Sequence, residues 1–172
     1  MTKQLKQNSK QKQSNWNILF AGTGGQGVLT ASEVAGYAAV FDGYHVKKSE
    51  VHGMAQRGGS VESHLRFGDG VFSPLITKGA VDFLVSFHKD ERDRMKDFLK
   101  KGGTDLIDAL EEAKASVSDP KFVNTYLLGV LSSYLPITEQ SWMKALEKAF
   151  GQKRLDENKA VFSQGRTRKQ KL

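Results

Sequence analysis

Four glycines fall within six residues at Gly22-Thr23-Gly24-Gly25-Gln26-Gly27, between the apolar run Ile18-Leu19-Phe20-Ala21 and Val28-Leu29. Glycine is needed where the backbone takes positive φ or passes close to another group. A glycine turn that opens a helix gathers unpaired N–H groups at the positive end of the helix dipole, which suits an anion. The chemistry first suggested is therefore phosphate or dinucleotide binding, although such a turn also serves close backbone packing with no ligand. A dinucleotide site wants an acidic residue about 20 residues further on to hold the ribose hydroxyls. Lys47 and Lys48 stand there instead, with Glu50 slightly late. These lysines fit a 2′-phosphate, so a stand-alone NADP-binding oxidoreductase stays open. No Lys-Ser or Lys-Thr closes the run as a P-loop requires.

The second candidate segment is Ser49-Glu50-Val51-His52-Gly53-Met54-Ala55-Gln56-Arg57-Gly58-Gly59. It follows neither the helix nor the strand period and reads as a loop. Long ordered loops tend to be functional. Glu50, His52, Gln56 and Arg57 stand beside Gly58 and Gly59, and glycines next to a forked Arg suit close approach to a planar or anionic group. That group belongs either to a cofactor or to another subunit. His45, His52, His64 and His88 show no i+3 or i+4 pairing and no metal-triad spacing. They read as surface or hydrogen-bonded structural residues, His52 alone lying in the loop. No Gly-x-Ser-x-Gly nucleophile elbow is present, and Glu111 and Glu112 read as solvated.

The elements that would position these residues alternate. Residues 17–22 read as a strand and 28–41 as a helix with Gly43 beyond its end. Residues 44–47 read as a second strand. Ser60 to Phe67 alternates, and Gly68-Asp69-Gly70 reads as a hairpin turn into Val71-Phe72-Ser73. Val81 to Phe87 reads as a strand buried on both faces. Residues 89–101 read as a helix, with Asp90 and Glu91 in its first turn, Lys100 and Lys101 in its last, and Gly102 ending it. Residues 104–116 read as helix, 122–135 as an apolar helix stopped by Pro136, and 151–163 as a last amphipathic piece. Thr138 is placed to cap a helix, with Ile137 and Trp142 forming a hydrophobic staple. The order predicts a Rossmann-like, doubly wound α/β domain, mostly parallel, with an antiparallel hairpin insertion.

A chain of 172 residues suits one domain with a real core. The absence of cysteine excludes disulfides, zinc–thiolate sites and cysteine-ligated iron–sulfur clusters within the chain. No apolar run reaches membrane-spanning length and none reads as a signal peptide, so the expected compartment is the cytoplasm, with no membrane partner. The net charge is +7, but eight of the 26 basic residues lie in residues 1–17 and 166–172, leaving 18 against 19 acidic ones. The expected organisation is a disordered basic tail over 1–16, one domain over 17–165 and a second basic tail over 166–172. An RNA-associated role through these tails is a third reading, which the scarcity of interleaved aromatics disfavours.

Three segments carry a family resemblance: Gly22 to Gly27, Val46 to Val61, and Phe72-Ser73-Pro74-Leu75-Ile76. Together they resemble the γ subunit or domain of 2-oxoacid:ferredoxin oxidoreductases. The form of the middle segment is most similar to that of the indolepyruvate ferredoxin oxidoreductase β subunit. The resemblance implies CoA-dependent oxidative decarboxylation of an aryl 2-oxoacid with ferredoxin reduction. It places thiamine diphosphate and iron–sulfur clusters on a larger partner α subunit, with CoA as co-substrate and no cofactor held by this chain alone. This chain would then be a structural and docking subunit, inactive by itself, whose isolated form could pair as a homodimer. Carried over, Gly22, Gly24, Gly25, Gly27, Glu50, His52, Gln56, Arg57, Gly58 and Gly59 are the family positions, with no catalytic residue assigned. Trp142, Phe150 and Tyr134 are the expected partner-facing apolar residues. Relative to the family pattern, the strand and connection that follow Gly102-Gly103 read as missing.

Overall fold

A computed structural model of the protein describes residues 15–53 and 58–168. Its centre is β1 (Asn15–Thr23), whose run Ile18 to Ala21 is fully buried, as a strand covered on both faces must be. Around it lie β2 (His45–His52), β3 (Ser60–Gly68), β4 (Val81–Ser86) and β5 (Leu99–Asp105), in the sheet order β2-β3-β1-β4-β5. β1 pairs in parallel with β4, and β4 with β5, whereas β3 pairs antiparallel with both β1 and β2. Four strands thus point one way and β3 runs against them. The mixed α/β class with a mostly co-directional sheet is the one the alternation predicts.

The helices are α1 (Val28–Phe41), α2 (Lys89–Met95), α3 (Asp108–Ser116), α4 (Val123–Ser132), α5 (Glu139–Phe150) and α6 (Leu155–Arg166). The sheet's two faces are covered unequally. Ile18, Phe20, Leu65, Phe67, Phe83 and Val85 meet the apolar sides of α1 and α3 to α6 in one large core. On the other face Leu19, Ala21, Val81 and Leu84 are covered by Met95 of α2 and by Ile76 from the segment 69–80. α4 and α6 cross through reciprocal glycines: a Cβ on Gly129 would lie 2.1 Å from the Phe162 carbonyl oxygen, and one on Gly165 2.1 Å from that of Tyr126. Thr138 caps α5 as expected, and Ile137 and Trp142 are both buried beside it. The Asp42 carboxylate accepts from Thr138 N, Thr138 Oγ1 and Ser141 Oγ, tying the end of α1 to the start of α5.

Several expectations are corrected. The hairpin is β2–β3, not residues 60–67 with 71–73. β3 has β1 on one edge and β2 on the other, so it has no edge left for residues 71–73 to pair with. β2 runs on through Ser49 to His52, so the first part of the expected loop is strand. The helix expected over 89–101 ends at Met95, and after a single 3-10 turn Leu99 to Asp105 become β5. Gly102 and Gly103 thus lie inside a strand rather than at a helix end, and α3 opens at Asp108, so only residues 106–107 connect the two. Gly103 backs onto β4, a Cβ there falling 2.8 Å from the Val81 carbonyl oxygen. Both expected tails are shorter at their inner ends. Asn15 and Trp16 belong to β1, Arg166 donates to Ser132, and Arg168 pairs with Glu112 at 2.7 Å. Trp142 is fully buried and so cannot face a partner, whereas Tyr134 and Phe150 are partly buried against the main core.

Candidate functional site

The glycine turn leaves the carboxyl end of β1 and enters α1. Gly22 is glycine because of crowding: a Cβ would lie 2.7 Å from Val28 Cγ2, 2.8 Å from Gln26 Oε1 and 3.0 Å from Phe87 Cβ. Gly25 and Gly27 are glycine because φ is +90° and +78°. Gln26 closes the turn on itself. Its Oε1 accepts from Thr23 N at 2.8 Å, and its Nε2 donates to the Phe87 carbonyl at 3.0 Å, joining the turn to the end of β4. Gly24 N donates to the Gly59 carbonyl at 3.0 Å. Two of the amides that would cradle a phosphate, Thr23 and Gly24, are thus taken by the protein itself.

The same bond brings together the two segments singled out from sequence. Gly53 N donates to Ser60 O at 2.7 Å and closes the β2–β3 hairpin, whose loop returns at Gly58 with φ +66° to reach the glycine turn. Gln56 and Arg57 lie outside the described residues. Glu50 and His52 stand two apart on β2, on the α1 side of the sheet, opposite Ser63 and Val61. The Lys48 ammonium, 2.8 Å away, with His52 adding to it, holds the Glu50 carboxyl below the usual range against a small cost of burial. Glu50 is therefore a carboxylate at neutral pH and no proton donor. Among the described residues the ion pairs of Glu50 and His52 run to Lys48 and to each other, while the glycine turn is bonded to Gly59.

The dinucleotide geometry fails on topology. A ribose-binding residue must end a strand parallel and adjacent to β1. Here antiparallel β3 separates β2 from β1, putting Lys47 and Lys48 two strand spacings away, about 10 Å. Lys48 is in addition committed to Glu50. Two of the four histidines have structural roles. His64 is buried, and its Nδ1 accepts from Ile76 N at 3.2 Å. His88 Nδ1 accepts from Asp90 N at 3.2 Å and caps α2.

Sequence reasoning gave no role to a cleft at the same end of the sheet. α1 follows β1 onto one face and α2 follows β4 onto the other, so these adjacent parallel strands make the switch point at which α/β folds place ligands. A cleft of about 500 Å³ opens there, lined by Gly25, Gly27, Phe87, Lys114, Lys121 and Asn124. Asn124 is buried against the turn. Its Oδ1 accepts from Thr125 N at 2.8 Å, and its Nδ2 faces Gly27 O at 3.4 Å. The wall is largely apolar, with Lys121 beside it and Lys114 paired with Glu111 at 2.8 Å, so Lys121 is the cation it offers to a small body carrying negative charge. A larger cleft of about 690 Å³ lies between α2 and α3. There Arg92 is held by Asp105 and Asp93, and Arg168 by Glu112, so these charges are spent on the fold. Among the described residues no group of three His, Asp or Glu side chains converges as metal ligands. No helix among them is long and apolar enough to cross a membrane.

Comparison with known proteins agrees with this arrangement. The sequence model described as pyruvate ferredoxin/flavodoxin oxidoreductase matches residues 17–120 and 106–168. The indolepyruvate oxidoreductase subunit IorB of Pyrococcus horikoshii is 48% identical over 88 residues, which are 51% of this chain and 44% of that protein. The matched stretch thus spans less than half the length of that relative. The 2-oxoglutarate synthase subunit KorC of Methanocaldococcus jannaschii is 25% identical over 92% of this chain and 96% of its own. The crystal structure of the γ subunit of a keto/oxoacid ferredoxin oxidoreductase from Geobacter sulfurreducens superimposes with a TM-score of 0.72, at 23% identity over 88% of this chain and 94% of its own. The matched region takes in every strand and helix of the sheet domain, the glycine turn and the β2–β3 loop. The chain belongs to the pyruvate ferredoxin/flavodoxin oxidoreductase family.

Proposed function

We propose that this chain is the cofactor-poor subunit of a 2-oxoacid:ferredoxin oxidoreductase acting on an aryl 2-oxoacid of the indolepyruvate type. The observation that carries the reading is the 48% identity to an indolepyruvate oxidoreductase subunit. Two of the three segments behind the resemblance are also joined by the Gly24–Gly59 bond. Thiamine diphosphate and the iron–sulfur clusters belong in this reading to a larger partner subunit. Thiolate-ligated clusters have no donors here, since the chain holds no cysteine.

What this chain's residues contribute is positioning. The self-satisfied glycine turn, locked by Gln26 to β4, offers a stiff backbone platform. The hairpin loop is held against it at Gly59. The cleft beside the turn, with Lys121 in its lining, suits an anionic group of a substrate approaching from the partner.

The test is co-expression of the tagged chain with the large subunit, anaerobic purification, and assay of iron, thiamine and CoA-dependent ferredoxin reduction. Indolepyruvate, 2-oxoglutarate and pyruvate would be compared as substrates. A heteromeric complex reducing ferredoxin fastest with indolepyruvate is the expected result. A lone 19 kDa species, or turnover by the isolated chain, would overturn the proposal.

A further inference from the structure

The segment 69–80 between β3 and β4 has twelve residues and no helix or strand, yet it is pinned along its length. Arg66 NH1 donates to the Ser73 carbonyl at 2.9 Å and faces that of Leu75 at 3.4 Å, while Arg66 Nε is held on Asn17 Oδ1 at 2.9 Å. His64 accepts from Ile76 N, Asn17 donates to the Ala80 carbonyl, and Gly79 N donates to the Asp97 carbonyl. Val71 and Ile76 point inward and are buried. Between them Phe72 is 92% exposed and Leu75 57% exposed, with Pro74 fixing the backbone between. A segment anchored by five hydrogen bonds that still holds a phenyl ring in water is preorganised, so burying that ring costs little ordering entropy.

The surroundings supply the partner's chemistry. Lys47, Ser49 and Val51 of β2 share this face of the sheet with Glu62, His64 and Arg66 of β3, and Val51 is also exposed. Lys47 lies directly across the strands from Arg66. Arg66 is bound to neutral oxygens, and among the described residues neither cation has a carboxylate partner. Like charges set opposite each other are unfavourable in a sheet, and carboxylates from outside would relieve them. A second copy would not, because a two-fold interface sets the same patch against itself and would bring Lys47 and Arg66 towards Lys47 and Arg66.

We infer that Phe72, Leu75 and Val51, with Lys47 and Arg66 beside them, form the docking face for the large subunit, which presents an apolar recess edged by carboxylates. This rests on the subunit reading above and adds the surface that makes the contact.

The test titrates the full chain against the purified large subunit. Phe72→Ser is expected to weaken binding by roughly 30-fold or more, as for a buried aromatic anchor. Lys47→Glu is expected to weaken it several-fold and to flatten its dependence on salt. Phe41→Ser, at the far end of α1, serves as a control expected to bind like the unsubstituted chain. The melting temperature of Phe72→Ser should be unchanged, since the ring contributes little to the core. Unaltered binding by Phe72→Ser, with the unsubstituted chain binding well, would overturn the docking face and leave the subunit reading standing. No binding by the unsubstituted chain would overturn the subunit reading itself. A homodimer of the isolated chain that Phe72→Ser splits would overturn the choice of partner.

Discussion

Replacing Gly27 with alanine probes the junction on which the glycine turn is built. Two separate costs are expected. The first is conformational: φ of +78° puts a Cβ in the left-handed region, at about 1–2 kcal/mol. The second is steric, since the new Cβ would sit 2.5 Å from Asn124 Nδ2 and 3.1 Å from its Cγ. Asn124 is buried and cannot swing aside without giving up the 2.8 Å bond from Thr125 N, so the overpacking adds about 1–3 kcal/mol. The total is about 3 kcal/mol. Gly25→Ala isolates the first cost, because φ there is +90° and nothing lies within 4 Å of the new Cβ; about 1 kcal/mol is expected. Asn124→Ala should cost about 1 kcal/mol for its hydrogen bond. In the double variant Gly27→Ala/Asn124→Ala the clash is gone, so the loss should fall roughly 1.5 kcal/mol short of the sum of the singles. Urea denaturation followed by the fluorescence of Trp16 and buried Trp142 measures all four. Additivity within about 0.5 kcal/mol would refute contact between the turn and α4, and a neutral Gly27→Ala would refute the left-handed geometry as well.

Gly129→Ala should cost roughly 3 kcal/mol, because α4 and α6 must part where the added carbon meets the Phe162 carbonyl at 2.1 Å. Thermal denaturation should show a fall of roughly 6–12 °C, and an unchanged midpoint would refute the close crossing. Gln26→Leu leaves the Thr23 amide and the Phe87 carbonyl without their side-chain partner. Hydrogen exchange at Thr23 should accelerate by at least tenfold while β1 amides stay protected. Glu62 is held below the usual carboxylate range by His64 and by the Arg94 guanidinium, against the opposing effect of burial. Its contribution to stability is thus present above the unfolded glutamate value of about 4.3 and is lost as pH falls through the lower folded value. Glu62→Gln should flatten the acid limb of a stability–pH curve below about pH 4.5, and an unchanged slope there would contradict the assignment.

Much of the fold was legible because local and tertiary demands coincide. α1 begins and ends where its apolar spacing and Gly43 predict, and Thr138 caps α5 through its own side chain. β1 and β4 are apolar enough to be central strands in any α/β arrangement. β5 shows the opposite case. Leu-Lys-Lys-Gly-Gly-Thr-Asp has neither alternation nor β-propensity, and it is a strand only because β4 offers a free edge, pairing Val81 with Leu99 and Phe83 with Thr104 across a bulge. The family resemblance groups Glu50 and His52 with the glycine turn. The pairing of β2 with β3 places them on an edge strand, separated from β1 by β3.

The sequence by itself determined the glycine turn, the absence of thiolate donors, the α/β class and the family, since each depends on residue type at short spacing. Tertiary structure decided what those residues face. The turn meets Gly59 and Asn124, 35 and 97 positions further along the chain. Tertiary structure also buried Trp142 fully, and left Phe72 and Leu75 exposed. Hydrophobicity along a chain records which side chains need cover. Which of them receive it depends on strand order and on the unequal clothing of the two sheet faces, and those follow from contacts between residues far apart in the chain.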